Sequence, residues 1–113
     1  MPKSYVPEAG DIVWLEFDPQ AGREQAGHRP ALVLSSAAYN EKVSLAVCCP
    51  LSTKAKGYPF EVEVEIGKTT SVVLSDQVKS LDWRERKAKF KSKITAAQLK
   101  QVRENIKALL SID

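Results

Sequence analysis

Asp11-Ile12-Val13-Trp14-Leu15-Glu16-Phe17-Asp18, then a polar loop from Pro19 to Arg29, then Pro30-Ala31-Leu32-Val33-Leu34-Ser35, read as strand, loop and strand. The first run is rich in β-branched and aromatic residues and is bounded by Gly10 and Pro19, the marks of a strand. The second is apolar throughout, the pattern of a strand buried on both faces. Gly22 and Gly27 supply the turning freedom of the loop. Pro30 fixes its own φ and pushes Arg29 towards extended backbone. Arg29 thus stands where a loop hands over to a strand, and rigid strands with loops between them are where functional groups concentrate. A plain surface ion pair between Glu24 and Arg29 is the alternative, common and worth little.

Outward from this unit the chain keeps to short strands. Residues 1–10 are an extended lead-in with a turn at Glu8-Ala9-Gly10. Residues 36–42 are polar and suit one helical turn, and Val43 to Leu51 is a third strand. A second notable loop follows, Ser52-Thr53-Lys54-Ala55-Lys56-Gly57, with two hydroxyls and two lysines. Phe60 to Ile66 alternates, with Phe60, Val62, Val64 and Ile66 on one face and three glutamates on the other, a half-exposed strand. Residues 70–79 read as one strand, Leu81 to Glu85 as a short helix, and Lys87 to Ile94 as a Lys-rich edge strand. Thr95-Ala96-Ala97-Gln98 matches a capping box, and Leu99, Val102, Ile106 and Leu109 follow at helical spacing. The order predicts a mostly β fold with some α: a small curled antiparallel sheet or open barrel closed by a C-terminal amphipathic helix.

At 113 residues the chain is expected to be one domain spanning 1–113. Its net charge of +3 decides little, but the distribution is uneven. Between Lys79 and Lys93 stand seven Lys/Arg against two acids. That segment fits polyanion binding, or a solvated edge that resists aggregation. No run approaches the roughly 18 apolar residues of a membrane span, and the N-terminus has no apolar stretch of signal type. The expected location is therefore the cytoplasm, with no membrane partner. Cys48 and Cys49 are adjacent within an apolar run and read as reduced core residues. Two cysteines and one histidine make no zinc set, so no metal and no cofactor is expected.

Several blocks together resemble the MazF/PemK family of toxin–antitoxin ribonucleases. They are Asp11-Ile12-Val13-Trp14, Phe17-Asp18-Pro19, the loop Gly22-Arg23-Glu24-Gln25-Ala26-Gly27-His28-Arg29-Pro30-Ala31, Lys56-Gly57-Tyr58-Pro59-Phe60-Glu61-Val62, and Asp76-Gln77-Val78-Lys79-Ser80. The similarity runs from Tyr5 into the last helix and is nearest the MazF branch. It implies a dimeric, SH3-like open barrel. It also implies a sequence-specific endoribonuclease toxin that cuts single-stranded RNA without metal or ribosome. The implied products carry 2′,3′-cyclic phosphate and 5′-hydroxyl ends. A MazE-like antitoxin with an acidic disordered tail is the implied partner. The family's essential arginine falls on Arg29, its loop glutamate on Glu24, and its hydroxyl on Ser52, with Thr53 beside it.

The chemistry agrees with that assignment. A guanidinium is always charged and forks onto phosphate oxygens, and charge aimed at a developing oxyanion is usually the largest catalytic term. Ser52 or Thr53 can donate to the phosphate; Glu24 can take a proton or hold Arg29. His28 lies outside the motif and is read as an RNA contact rather than the base. Single-stranded RNA is read by bases stacked on aromatics and by cations along the backbone. Phe17, Tyr58 and Trp83 are the aromatic candidates; Lys56, Lys79, Arg86 and Gln77, within the Asp76–Ser80 block, are the polar ones. Trp14 reads as core. Two rivals share the sequence evidence: a gyrase-poison-like toxin of the same fold that acts on a protein, and a non-catalytic RNA-binding module.

Overall fold

The computed structural model describes residues 5–17 and 27–112. Strands β1 (Asp11–Phe17) and β2 (Gly27–Val33) pair antiparallel, with Val13 opposite Ala31 and Leu15 opposite Arg29. Helix α1 (Ala37–Val43) leads into β3 (Leu45–Ser52), followed by β4 (Glu61–Ile66) and β5 (Thr69–Leu74). Then come β6 (Lys79–Asp82), β7 (Lys89–Lys93) and α2 (Ala96–Leu110). The sheet order is β4-β5-β3-β2-β1-β7, with β6 also paired to β3. The result is a curled antiparallel half-barrel carrying a C-terminal helix.

The curl originates at β3. Leu45 to Cys48 pair with β6, whereas Leu51 and Ser52 pair with β5. On its other side β3 pairs with β2 from Cys48 to Pro50. One strand therefore changes partner half-way along, and Pro50, with no N–H to give a ladder, sits at the changeover. Residues 70–79 are not the single strand expected. They break after Leu74 into a turn in which the Gln77 N–H donates to Leu74 O at 3.0 Å, and the chain re-enters the sheet as β6.

Successive residues of β1, β2 and β3 point to opposite faces, and both faces are covered. Ile12, Leu32 and Cys49 join Val62, Val64, Val73 and Val102 in one apolar cluster; Val13, Leu15, Ala31, Val33 and Cys48 join Trp83 in another. Two-sided burial explains why residues 12–15, 30–34 and 45–51 are apolar without a break, while β4, covered on one face, alternates. Trp14 does not follow the core expectation. It is only half-buried, lies outside both clusters, and has Lys91 Nζ 5.9 Å from its ring centroid. Both cysteines are free and buried, as expected.

The capping box at α2 is formed in both directions, Gln98 N to Thr95 Oγ1 at 3.0 Å and Thr95 N to Gln98 Oε1 at 2.9 Å. Val102 is buried, with Leu99 and Ile106 packed beside it, but Leu109 is exposed, because the last turn lies outside the packed cluster. The expected helix over 81–85 is instead the end of β6 and a turn. Asp82 Oδ1 accepts the Glu85 N–H at 2.9 Å, and Lys87 adopts φ 53° to leave the turn. No helix among the described residues is long and apolar enough to cross a membrane.

Asn40, fully buried, joins three parts of the chain. Its Nδ2 donates to Pro7 O (2.8 Å) and Ser35 O (3.1 Å), its Oδ1 accepts from Ser35 Oγ (2.6 Å), and its carbonyl accepts from Trp83 Nε1 (2.9 Å). Asn40→Ala removes the side-chain bonds and leaves buried partners unpaired. It is expected to lower the unfolding free energy by about 2–4 kcal/mol. Urea denaturation at constant m-value measures this, and a loss below about 0.5 kcal/mol would contradict it.

Candidate active site

The gap left where β3 exchanges β6 for β5 is a cleft. Three adjoining hollows of about 320, 250 and 410 Å³ share Ser52 in their walls. Arg29 lines the first and third, and Gln77 the first and second. Lys79 lines the first, Lys56 and Tyr58 the second, Thr53 the third, and Lys54 the second and third.

The pairing of β2 with β3 brings Arg29 and Ser52 to one cleft. Ala31 stands opposite Pro50. The ladder ends at that pair, and two residues further along each strand stand Arg29 and Ser52, which line the same two hollows. An exposed guanidinium and a hydroxyl are thus presented at the rim of one sheet. Ser52 Oγ accepts the Lys54 N–H at 3.0 Å, which turns the loop and leaves the hydroxyl proton to be donated elsewhere.

The cleft is cationic. Arg29, Lys54, Lys56 and Lys79 line it against the carboxylates of Glu61 and Asp76. Glu61 is turned onto backbone amides, accepting from Lys56 N at 3.0 and 3.1 Å and from Gly57 N at 3.0 Å. Cys48 lines the first hollow but offers no nucleophile. Burial, then the neighbouring Cys49, pushes its thiol up to about 12, and Cys49 is pushed up to about 12 by burial and then by Asp76. Thiols so far above neutrality are almost wholly protonated at pH 7. Among the described residues no three His, Cys, Asp or Glu side chains converge as a metal set.

The structure therefore brings together Arg29, Ser52, Thr53, Lys56, Tyr58, Gln77 and Lys79. Glu24 lies outside the described residues, as do the side chains of Phe17 and His28. One expectation is corrected. Trp83 is 6% exposed and packed in the core, its indole N–H bonded to Asn40 and its ring covered by Arg84 at 4.3 Å. A ring with both face and edge engaged in this way has no surface for a base. Arg86 does not line these three hollows; its Nη1 donates to Glu16 O at 3.3 Å, at the end of β1. Lys54 and Glu61 were not among the sequence candidates. Lys54 had a signal, its place in the hydroxyl-rich loop, whereas Glu61 looked like any outward residue of an alternating strand.

A small curled antiparallel sheet with a C-terminal helix and a cationic rim carrying Arg29 and Ser52 puts the chain in the open half-barrel class. The chain belongs to the PemK-like, MazF-like toxins of type II toxin–antitoxin systems, whose family model matches residues 8–110. It is 46% identical over 110 residues to the endoribonuclease toxin MazF of Escherichia coli K12, covering 97% of this chain and 99% of that protein. It superimposes with a TM-score of 0.90 on a chain from the crystal structure of MazE–MazF of Deinococcus radiodurans, at 50% identity, covering 97% of this chain and 100% of that one. The Mycobacterium tuberculosis toxin MazF-mt6 shares the fold at 20% identity, with a TM-score of 0.73 over 91% of this chain and 98% of that one.

Proposed function

We propose that this toxin is an endoribonuclease that cuts single-stranded RNA at specific sequences, without metal or ribosome, and so arrests translation and growth. The observation that carries the reading is that Arg29 and Ser52 line the same cationic cleft. The names of the full-length relatives support the activity.

In the proposed reaction the substrate's own 2′-oxygen attacks the adjacent phosphorus. The 2′-O–P bond forms, the P–5′-O bond breaks, a base takes the 2′ proton, and the leaving 5′-oxygen gains one. Arg29 neutralises charge on the non-bridging oxygens of the phosphorane, and Ser52 donates a further hydrogen bond. Ser52 is favoured over Thr53 because it borders all three hollows. Lys56, Lys79 and Lys54 hold flanking phosphates, Tyr58, 59% exposed, offers a ring for a base, and Gln77 contacts a base edge. His28 and Phe17 are proposed as further RNA contacts. Glu24 is the candidate for proton transfer or for holding Arg29. Because the nucleophile comes from RNA and the charge compensation from Arg29, no metal has a task here.

The protein is further proposed to act as a homodimer in the cytoplasm, with the groove crossing the two-fold axis. A MazE-like antitoxin inhibits it by laying an acidic, disordered tail along that groove. The crystallised Deinococcus radiodurans relative, a MazE–MazF assembly, supports such a partner.

The decisive experiment is digestion of an RNA transcript in excess EDTA. Cleavage at a few sites, with 2′,3′-cyclic phosphate and 5′-hydroxyl ends, is expected. Activity that is lost in EDTA and restored by Mg²⁺ would overturn metal independence. Intact RNA alongside arrested DNA gyrase would favour the protein-directed rival.

A further inference from the structure

Glu61 opens β4, where the inward Val62 and Val64 leave the glutamates on the outer face. Its carboxylate does not simply face water. It reaches back to accept the N–H groups of Lys56 and Gly57, at 3.0 to 3.1 Å. Gly57 has φ +80°, a left-handed conformation that an L side chain adopts only with strain. That turn aims two successive N–H groups at one anion, as a backbone nest does. The Glu61 N–H closes the same loop by donating to Tyr58 O at 3.1 Å. Lys56 and Tyr58 are exposed, so packing does little to place them; the folded-back backbone places them.

We propose that Glu61 is a positioning residue, which holds the 56–58 segment so that Lys56 and Tyr58 form the RNA-binding wall of the second hollow. The inference rests on the ribonuclease reading above. Charge and geometry make opposite forecasts for its removal. A carboxylate beside an RNA groove repels phosphate, so a purely electrostatic role means tighter binding without it. A positioning role means weaker binding, because the loop must then be ordered by the substrate.

The experiment compares Glu61→Ala, Glu61→Gln and, as a control for charge, Glu63→Ala, on a single-stranded RNA oligonucleotide cut by the wild type. Glu63 shares the strand and outward face but does not engage the 56–57 amides. E61A is expected to raise KM about tenfold, the scale of a lost charge-assisted hydrogen bond, with kcat within about twofold. Hydrogen exchange at the Lys56 and Gly57 amides should quicken in parallel. E61Q, which keeps one acceptor oxygen and no charge, is expected within about threefold of the wild-type KM. E63A should leave KM unchanged or lower it. An unchanged or lower KM in E61A, with wild-type cleavage normal, overturns the assignment of Glu61 alone. Wild-type protein that leaves every RNA intact overturns the ribonuclease reading and this inference with it.

Discussion

Arg29→Ala is expected to lower kcat/KM for RNA cleavage by about 10²–10³-fold, the usual cost of removing a group that stabilises a developing oxyanion. The phosphorane carries more charge on its non-bridging oxygens than the ground-state phosphate, so most of the loss should fall on kcat. Lys54, Lys56 and Lys79 remain to hold the backbone, so KM should move less. Arg29 is exposed in the structure, and the variant should fold, with its unfolding free energy within about 0.5 kcal/mol of the wild type. Arg29→Lys keeps the charge but loses the planar fork and should fall between the two. Steady-state kinetics on one RNA oligonucleotide, with circular dichroism to confirm folding, decides the matter. A folded R29A that cuts at the wild-type rate would remove Arg29 from the mechanism and favour a binding site elsewhere on the sheet.

A 2′-deoxy substitution at the single nucleotide 5′ to the cut is expected to abolish cleavage there. The change deletes the nucleophile and leaves every phosphate in place. Affinity is dominated by phosphate contacts, so the modified strand should bind within about threefold of the unmodified one and inhibit competitively. The two measurements separate chemistry from recognition. Cleavage at the normal rate would mean that water or a protein group attacks phosphorus. The buried, protonated Cys48 and Cys49 make poor candidates for that role. Loss of binding together with cleavage would instead assign the 2′-hydroxyl a part in recognition.

Much of the fold was legible in the residues because local rules and packing agree. The alternation from Val62 to Ile66 and the Thr95/Gln98 capping box each specify one local structure, which the tertiary fold uses, whereas β2 begins at Gly27 rather than at Pro30, because residues 27–29, expected as loop, pair with β1. The family resemblance also put forward Arg29 and Ser52, and the two line the same hollows. The remainder depended on which surfaces meet. Residues 70–79 have strand character throughout, and nothing local says that β3 will change partners and break them at Leu74; yet that break opens the cleft. Trp83 among basic residues reads as a stacking platform, and only its packing against Asn40, from a distant helix, assigned it to the core. Glu61 looked like one of three equivalent outward carboxylates until the turn at Gly57 delivered two N–H groups to it alone among them. Period and capping are short-range and written in the chain; partner exchange, burial of an ambiguous ring and capture of a loop are contacts between separate elements, and only the tertiary structure decides them.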